Sequence, residues 1–225
     1  MPTALITGCD TGVGREFVIQ YARAGWNVVA TYHDLSNMMD TGEYDGDVIH
    51  HQLDVTLPDQ FKALRQAVGS TPIDVLLSNA GVGLEKSKLG NVDHDFVLLM
   101  FRTNALGALR LVETFVDNVA SSTMRRIAVV SSRMGSVANN LTGGHYGYRA
   151  SKAALNAMMR SAAIDLAAQG ISVIVMHPGA VSVPSAPDSP VGVEESVEGM
   201  RILIERLGPH ETGQFHRFDG EPIAW

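Results

Sequence analysis

The feature that most constrains the fold is an alternation of short apolar runs with amphipathic stretches long enough to be helices. The runs are "TALIT" (3–7), "NVVAT" (27–31), "DVLLS" (74–78), "RIAVVS" (126–131) and "SVIVMH" (172–177). Each is apolar almost throughout, as a strand covered on both faces must be. Helix-length segments lie between them, at 13–24, 61–68, 93–119 and 148–169. That order predicts βαβ units and a doubly wound parallel sheet in a three-layer αβα sandwich. Val197, Met200, Leu203, Ile204 and Leu207 recur at helical spacing and predict one more helix, before a short strand in "GQFHRF" (213–218). A chain of 225 residues, 45% hydrophobic and 18% charged, suits a single domain over 1–225 with a full core.

Charge and cysteine usage remove several function classes. A net charge of −7 without a basic run excludes a nucleic-acid surface, which needs clustered Lys and Arg. The start "MPTALITG" lacks the charged and apolar regions of a signal peptide, and no apolar run reaches the ~18 residues of a membrane span, so a cytoplasmic location without a membrane partner is expected. A lone Cys9 excludes an intrachain disulfide and a cysteine zinc cluster. The eight histidines are scattered, and the adjacent His50 and His51 would face opposite ways on a strand, so no metal site is expected. Asn140-Leu141-Thr142 matches a glycosylation acceptor, which without a signal peptide is a chance match.

Directly after the first strand comes "TGCDTGVG" (7–14), with Gly8, Gly12 and Gly14 leading into the first helix. A glycine turn there lets backbone N–H groups and the positive helix end meet a pyrophosphate, the arrangement of a Rossmann-like nucleotide site. The spacing is Gly-x-x-x-Gly-x-Gly rather than Gly-x-Gly-x-x-Gly, and Cys9 reads as a small side chain in a tight loop. "LDVT" (53–56) is expected to end the third strand, with Asp54 accepting from an adenine amine, or Thr56 capping the next helix. "SNAGVG" (78–83) ends the fourth strand with Asn79 and two glycines. Three such strand ends point at one crevice, where ligands of doubly wound sheets lie.

In "GGHYGYRASK" (143–152), Tyr148 and Lys152 are four residues apart, ~40° around a helix, whereas Tyr146 is ~240° from Lys152. An ammonium near a phenol favours the phenolate and lowers its pKa, giving a usable proton donor to a carbonyl or acceptor from an alcohol. With the glycine loop, "SNAG", Ser131 and Ser132 after "RIAVV", and "YRASK" in this order, the chain resembles the short-chain dehydrogenase/reductase family over essentially its whole length. "SSRMGS", "YRASKAALN", "HPG" and "FDGEPIAW" are similar to its C-factor-like and carbonyl-reductase-like branch.

The resemblance implies an NAD(P)(H)-dependent oxidoreductase moving hydride between nicotinamide and a carbonyl or secondary alcohol. Tyr148 would be general acid and base, Lys152 would hold the nicotinamide ribose, Ser132 would bind the substrate oxygen, and Asn104 in "FRTNALG" would anchor a water. The interval from Ser132 to Tyr148 is longer than usual, so Ser131 stays open as the acting serine, and Asn104 reads equally as a residue that bends its helix. Cofactor contacts are expected from Gly8, Asp10, Thr11, Gly12, Val13, Gly14, His33, Asp54, Val55, Asn79, Ala80, Gly81, Tyr148, Lys152, Pro178, Gly179 and Val181. Tyr146 reads as a cleft wall or a packing residue.

Two departures matter. Val183 stands where the family normally has a Thr that touches the nicotinamide amide, and Pro184, Pro187 and Pro190 forbid regular helix in the loop that follows, predicting an open cleft. At the end of the second strand, "ATYHD" puts Tyr32 at the NAD-type acidic position and His33 at the NADP-type basic one, which tilts the expectation to NADP(H) over NAD(H). Two other readings stand beside the enzyme: a dinucleotide-binding regulatory or signalling protein with little catalysis, and an interaction protein with an empty cleft. The long segments 93–119 and 148–169 would pair with symmetry mates in a homodimer or homotetramer.

Overall fold

The structure, a computed structural model, describes residues 1–39, 46–83, 86–182 and 186–225. Seven strands form one sheet: β1 (Thr3–Ile6), β2 (Asn27–Tyr32), β3 (Val48–Gln52), β4 (Val75–Ser78), β5 (Arg126–Val130), β6 (Ser172–His177) and β7 (Gln214–Arg217). All pairs are parallel, in the order β3-β2-β1-β4-β5-β6-β7. The chain leaves β1 to build one half of the sheet and returns to β1's other side with β4. The crevice beyond the carboxyl ends of β1 and β4 is thus the switch point of a doubly wound, Rossmann-like fold.

The helices are α1 (Gly12–Arg23), α2 (Pro58–Val68), α3 (His94–Met100), α4 (Gly107–Ala120), α5 (Tyr146–Leu166) and α6 (Val193–Arg206). They cover both faces, and the strands feed both with alternate residues. Leu5, Leu76, Ile127, Val129, Val173 and Val175 join α2, α4 and α5 in one core. Ala4, Ile6, Val75, Leu77, Ala128, Val130, Ile174 and Met176 join α1 and α6 in the other. Two buried faces per strand explain why the apolar runs are continuous.

Several local expectations change in detail. The segment 93–119 is helical from His94 to Ala120, but between α3 and α4 it winds as a π-helix over Phe101–Leu106. Asn104 lies inside that wider turn, which re-aims its side chain relative to a straight α-helix. The third strand ends at Gln52, and Asp54 stands two residues past it in a turn. The α2 N-cap is Leu57, with Pro58 at the first helical position and no side-chain cap, so Thr56 does not cap that helix. Helix α5 begins at Tyr146, two residues earlier than expected, after Gly143, Gly144 and His145 in positive φ. Val183 and Pro184 lie outside the described residues.

A very close approach joins α1 to β1 and β4. A Cβ on Gly14 would fall 2.0 Å from the Gly8 carbonyl oxygen and 2.5 Å from Asn79 Nδ2. Both neighbours are fixed by the strands that carry them, so the space cannot open cheaply. Gly14→Ala is expected to destabilise the protein by about 1–3 kcal/mol, read as a lowered denaturation midpoint. An unchanged midpoint would contradict the packing at this junction.

Candidate active site

The glycine loop and the β4 turn are locked together. Asn79 Nδ2 donates to the carbonyls of Thr7 at 3.2 Å and Gly8 at 3.0 Å. Thr7 Oγ1 accepts from the amides of Asn79 and Ala80. Gly8 has φ +70° and no room for a side chain against Ala80, which is why glycine is required there. Asp10 ties the loop to the end of β2: its carboxylate accepts from the amides of His33 and Asp34, each at 3.0 Å, and from Asn37 Nδ2. Thr11, the α1 N-cap, makes no side-chain cap bond, so the first N–H groups of α1 face the loop with their positive dipole end.

These elements enclose a cavity of about 600 Å³ at the switch point. Its lining holds eleven of the expected cofactor residues: Gly8, Asp10, Thr11, Gly12, Val13, His33, Asp54, Val55, Asn79, Ala80 and Gly81. Asp54 Oδ1 is used locally, accepting from the Thr56 amide and hydroxyl, while Oδ2 stands 3.8 Å from His33 Nε2. Gly14 is not in the lining; its part is the close packing described above. Pro178, Gly179 and Val181 also lie off the lining, past the end of β6. The Pro178 carbonyl accepts from Ser196 Oγ at 2.6 Å, and Val181 forms a bridge with Val191.

Leu53, Thr56, Val82, Leu99 and Thr103 line the cavity but were not among the residues expected there. Leu99 and Thr103 are four apart on one helical face, a spacing the sequence carries without saying that the face meets a ligand cavity.

The four expected catalytic residues gather beside this cavity. Gly81 connects the two regions, since a Cβ there would stand 3.1 Å from Asn104 Oδ1 and 3.6 Å from Lys152 Nζ. Asn104 holds the β4 turn against α5: Oδ1 accepts from the Val82 amide at 2.8 Å, and Nδ2 donates to the Val82 carbonyl and to Ser151 Oγ at 3.0 Å. Ser131 and Ser132 are separated by geometry. Ser131 Oγ is buried and donates to Asn156 Oδ1 at 2.6 Å, a structural bond, whereas Ser132 hydrogen-bonds the Tyr148 phenol. Tyr146 is exposed and lines a separate cavity on the outer side of α5 with Met134, Val137 and Arg149.

The electrostatics differ from the sequence expectation. Burial pushes the Tyr148 phenol above its ordinary value, against the pull of the Ser132 hydrogen bond. Lys152 does not lower it: Nζ stands 6.0 Å from the phenol ring centroid and donates to the Val130 carbonyl at 3.0 Å. Lys152 is itself buried, and loss of hydration brings its ammonium down to about 8. Cys9 is buried too, its thiol donating to the Ile6 carbonyl at 3.3 Å and its pKa raised by burial.

A model of the family described as short chain dehydrogenase matches residues 2–190. The chain is 39% identical over 165 residues to the C-signal of Myxococcus xanthus, covering 73% of this chain and 99% of that protein. It is 29% identical over 233 residues to 1-hydroxy-2-glutathionyl-2-methyl-3-butene dehydrogenase of Rhodococcus sp. (strain AD45), covering 100% of both. The NADPH-bound carbonyl reductase from chicken fatty liver superposes with a TM-score of 0.90 at 26% identity, covering 100% of this chain and 99% of that one.

The buried ammonium yields a test of sign. Its folded pKa lies below the unfolded one, so the unfolded chain binds more protons above about pH 8, and the charge penalty on folding fades as pH rises from there. Relative to Lys152→Met, the parent protein should gain stability between about pH 8 and 10. Parallel denaturant titrations measure this; a constant difference across the window would contradict the burial of a charged amine.

Proposed function

The chain belongs to the short-chain dehydrogenase family and is an NAD(P)-dependent oxidoreductase of C=O and CH–OH groups; we propose that Tyr148 is its general acid and base. The observation that carries this reading is the hydrogen bond between Ser132 and Tyr148, with Lys152 at the end of the same helical turn and the glycine-walled cavity beside them. The residues fit a dinucleotide. Gly8 and Gly12 keep side chains out of the approach to α1, whose first N–H groups suit a pyrophosphate. Asp54 Oδ2 remains open to a donor at the other end.

The nicotinamide, when bound, supplies or accepts the hydride. In carbonyl reduction Tyr148 gives its phenolic proton to the substrate oxygen as hydride reaches the carbon. In alcohol oxidation it takes that proton back. Ser132 accepts from or donates to the same oxygen and fixes its distance from the phenol. Lys152 holds the ribose, its ammonium standing one helical turn from the phenol. Asn104 positions Val82 and Ser151 around the cavity and leaves an oxygen lone pair for a water.

NADP(H) is the preferred cofactor in this reading. Both Asp10 oxygens and one of Asp34's already accept backbone amides, while His33 is exposed at that end of the cavity. His33 is therefore the side chain there free to donate to a 2′-phosphate. We further place the protein in the cytoplasm as one domain over 1–225. The exposed Leu106, which caps the start of α4, and Ile164 on α5 fit a homodimer or homotetramer surface. Among the described residues no helix is long and apolar enough to cross a membrane.

Tyr148→Phe is expected to bind NADPH as the parent does, by fluorescence titration, and to lose about 10²-fold or more in turnover. Turnover at the parent's level would take the phenol out of the mechanism, and tighter binding of NADH than NADPH would reverse the cofactor assignment. The 39% identity to C-signal favours one further reading, a dinucleotide-binding regulator. That reading expects binding in the same titration and no turnover on broad carbonyl and alcohol panels.

A further inference from the structure

Beyond the hydride and proton chemistry, the ends of β5, β6 and β7 carry a basic group of residues that this chemistry does not use. The register pairs Val130 with Met176 and His177 with Arg217, and the Ser131 amide donates to the Met176 carbonyl at 2.6 Å. Ser131, His177 and Arg217 thus form one row across the sheet end. Their parity follows Val129, Val175 and Phe215 into the core on the α5 side, and Ser131 confirms it by reaching Asn156 of α5. Arg133 follows Ser132 directly, at the start of a 3-10 turn.

The two arginines are held differently. Arg217 is bound by Asp219 and, through Nε at 3.2 Å, by Glu221. Arg133 meets only the same Glu221, at 3.8 Å, beyond hydrogen-bond length, and its side chain is 51% exposed. Glu221 is therefore shared between two guanidiniums, and its partner Arg133 keeps donors unused among the described residues. His177 Nδ1 is buried with no hydrogen-bond partner. Burial first, and then Arg133, Arg217 and Lys152, bring the imidazole down to about 4. It is neutral at physiological pH and can offer an N–H without adding charge. Arg133, Arg217 and Lys152 are thus all within electrostatic reach of His177.

We propose that Arg133, with His177 beside it, forms an anion subsite next to Ser132, and that the preferred substrates carry an oxyanion, a carboxylate or a phosphate, alongside the carbonyl or alcohol. This rests on the oxidoreductase reading for the word substrate, but the subsite itself does not. A guanidinium fork matches a carboxylate or phosphate edge, and an entering anion would take the place that Glu221 holds loosely. Glu221 then acts as a counter-charge that a neutral substrate leaves in position and an anionic one displaces.

The test begins with calorimetry on the NADPH-loaded protein, so that the glycine loop is not available to the probe. Benzoate should bind and benzamide should not. Arg133→Gln should weaken benzoate about tenfold or more, and Glu221→Gln should tighten it, a change in the opposite direction that a misfolded variant cannot mimic. In turnover, 4-carboxybenzaldehyde should exceed methyl 4-formylbenzoate in kcat/KM, with the ratio falling in Arg133→Gln; 4-formylphenyl phosphate tells which oxyanion is preferred. Benzoate binding that is absent, or indifferent to both substitutions, overturns the subsite. Binding that follows both substitutions while no aldehyde is reduced upholds the subsite and counts against the oxidoreductase reading alone.

Discussion

The arrangement at the centre of this fold depends on one close approach, that of α1 to the ends of β1 and β4. Gly14 lets the helix come within backbone distance of the Gly8 carbonyl, and Asn79 fills the remaining gap with its amide, donating to Thr7 and Gly8. This contact sets the mouth of the cavity, because the loop between strand and helix cannot move without breaking buried hydrogen bonds. Each such bond is worth about 0.5–1.5 kcal/mol net, but leaving a buried donor unpaired costs more. The loop's shape is therefore fixed before any ligand arrives, which lowers the ordering cost of binding.

A second set of buried polar bonds carries that rigidity to the other side of the crevice. Asn104 links Val82 to Ser151, Ser131 links β5 to Asn156, and Lys152 donates to Val130. The Cβ-free edge of Gly81 lets Asn104 and Lys152 share one space beside the cavity. Polar groups in a core are tolerated where they are satisfied, and here each bond ties a strand end to α5 or to the π-helical turn. The residues proposed to position the chemistry are the ones that join the elements.

The layered fold was legible because both faces of each strand are buried, which makes the apolar runs continuous and their spacing helical in between. The glycine loop and Asn79 were legible because each follows directly on the strand it ends, Asp54 because it lies in the turn just past β3, and the Tyr148–Lys152 pair because residues four apart share a helical face. What escaped was decided by winding and contact. Nothing local in "FRTNALG" announces a π-helix, which depends on how α3 and α4 pack. The choice between Ser131 and Ser132 depended on which one finds Asn156, a residue 25 positions away from Ser131. The phenol's direction of shift was misread because spacing gives proximity to an ammonium but says nothing of dehydration, and burial raises the phenol while it lowers the ammonium.

Cys9 sits inside the glycine loop, buried, its thiol turned to the Ile6 carbonyl and kept protonated. Thiolate is the reactive form, so in the closed state this sulfur is shielded both chemically and sterically. As the single cysteine of the chain, it is a built-in reporter: alkylation proceeds only through openings that peel the loop from β1 and β4. The rate of its modification would thus clock the breathing of the nucleotide cradle itself, without any label added to the protein.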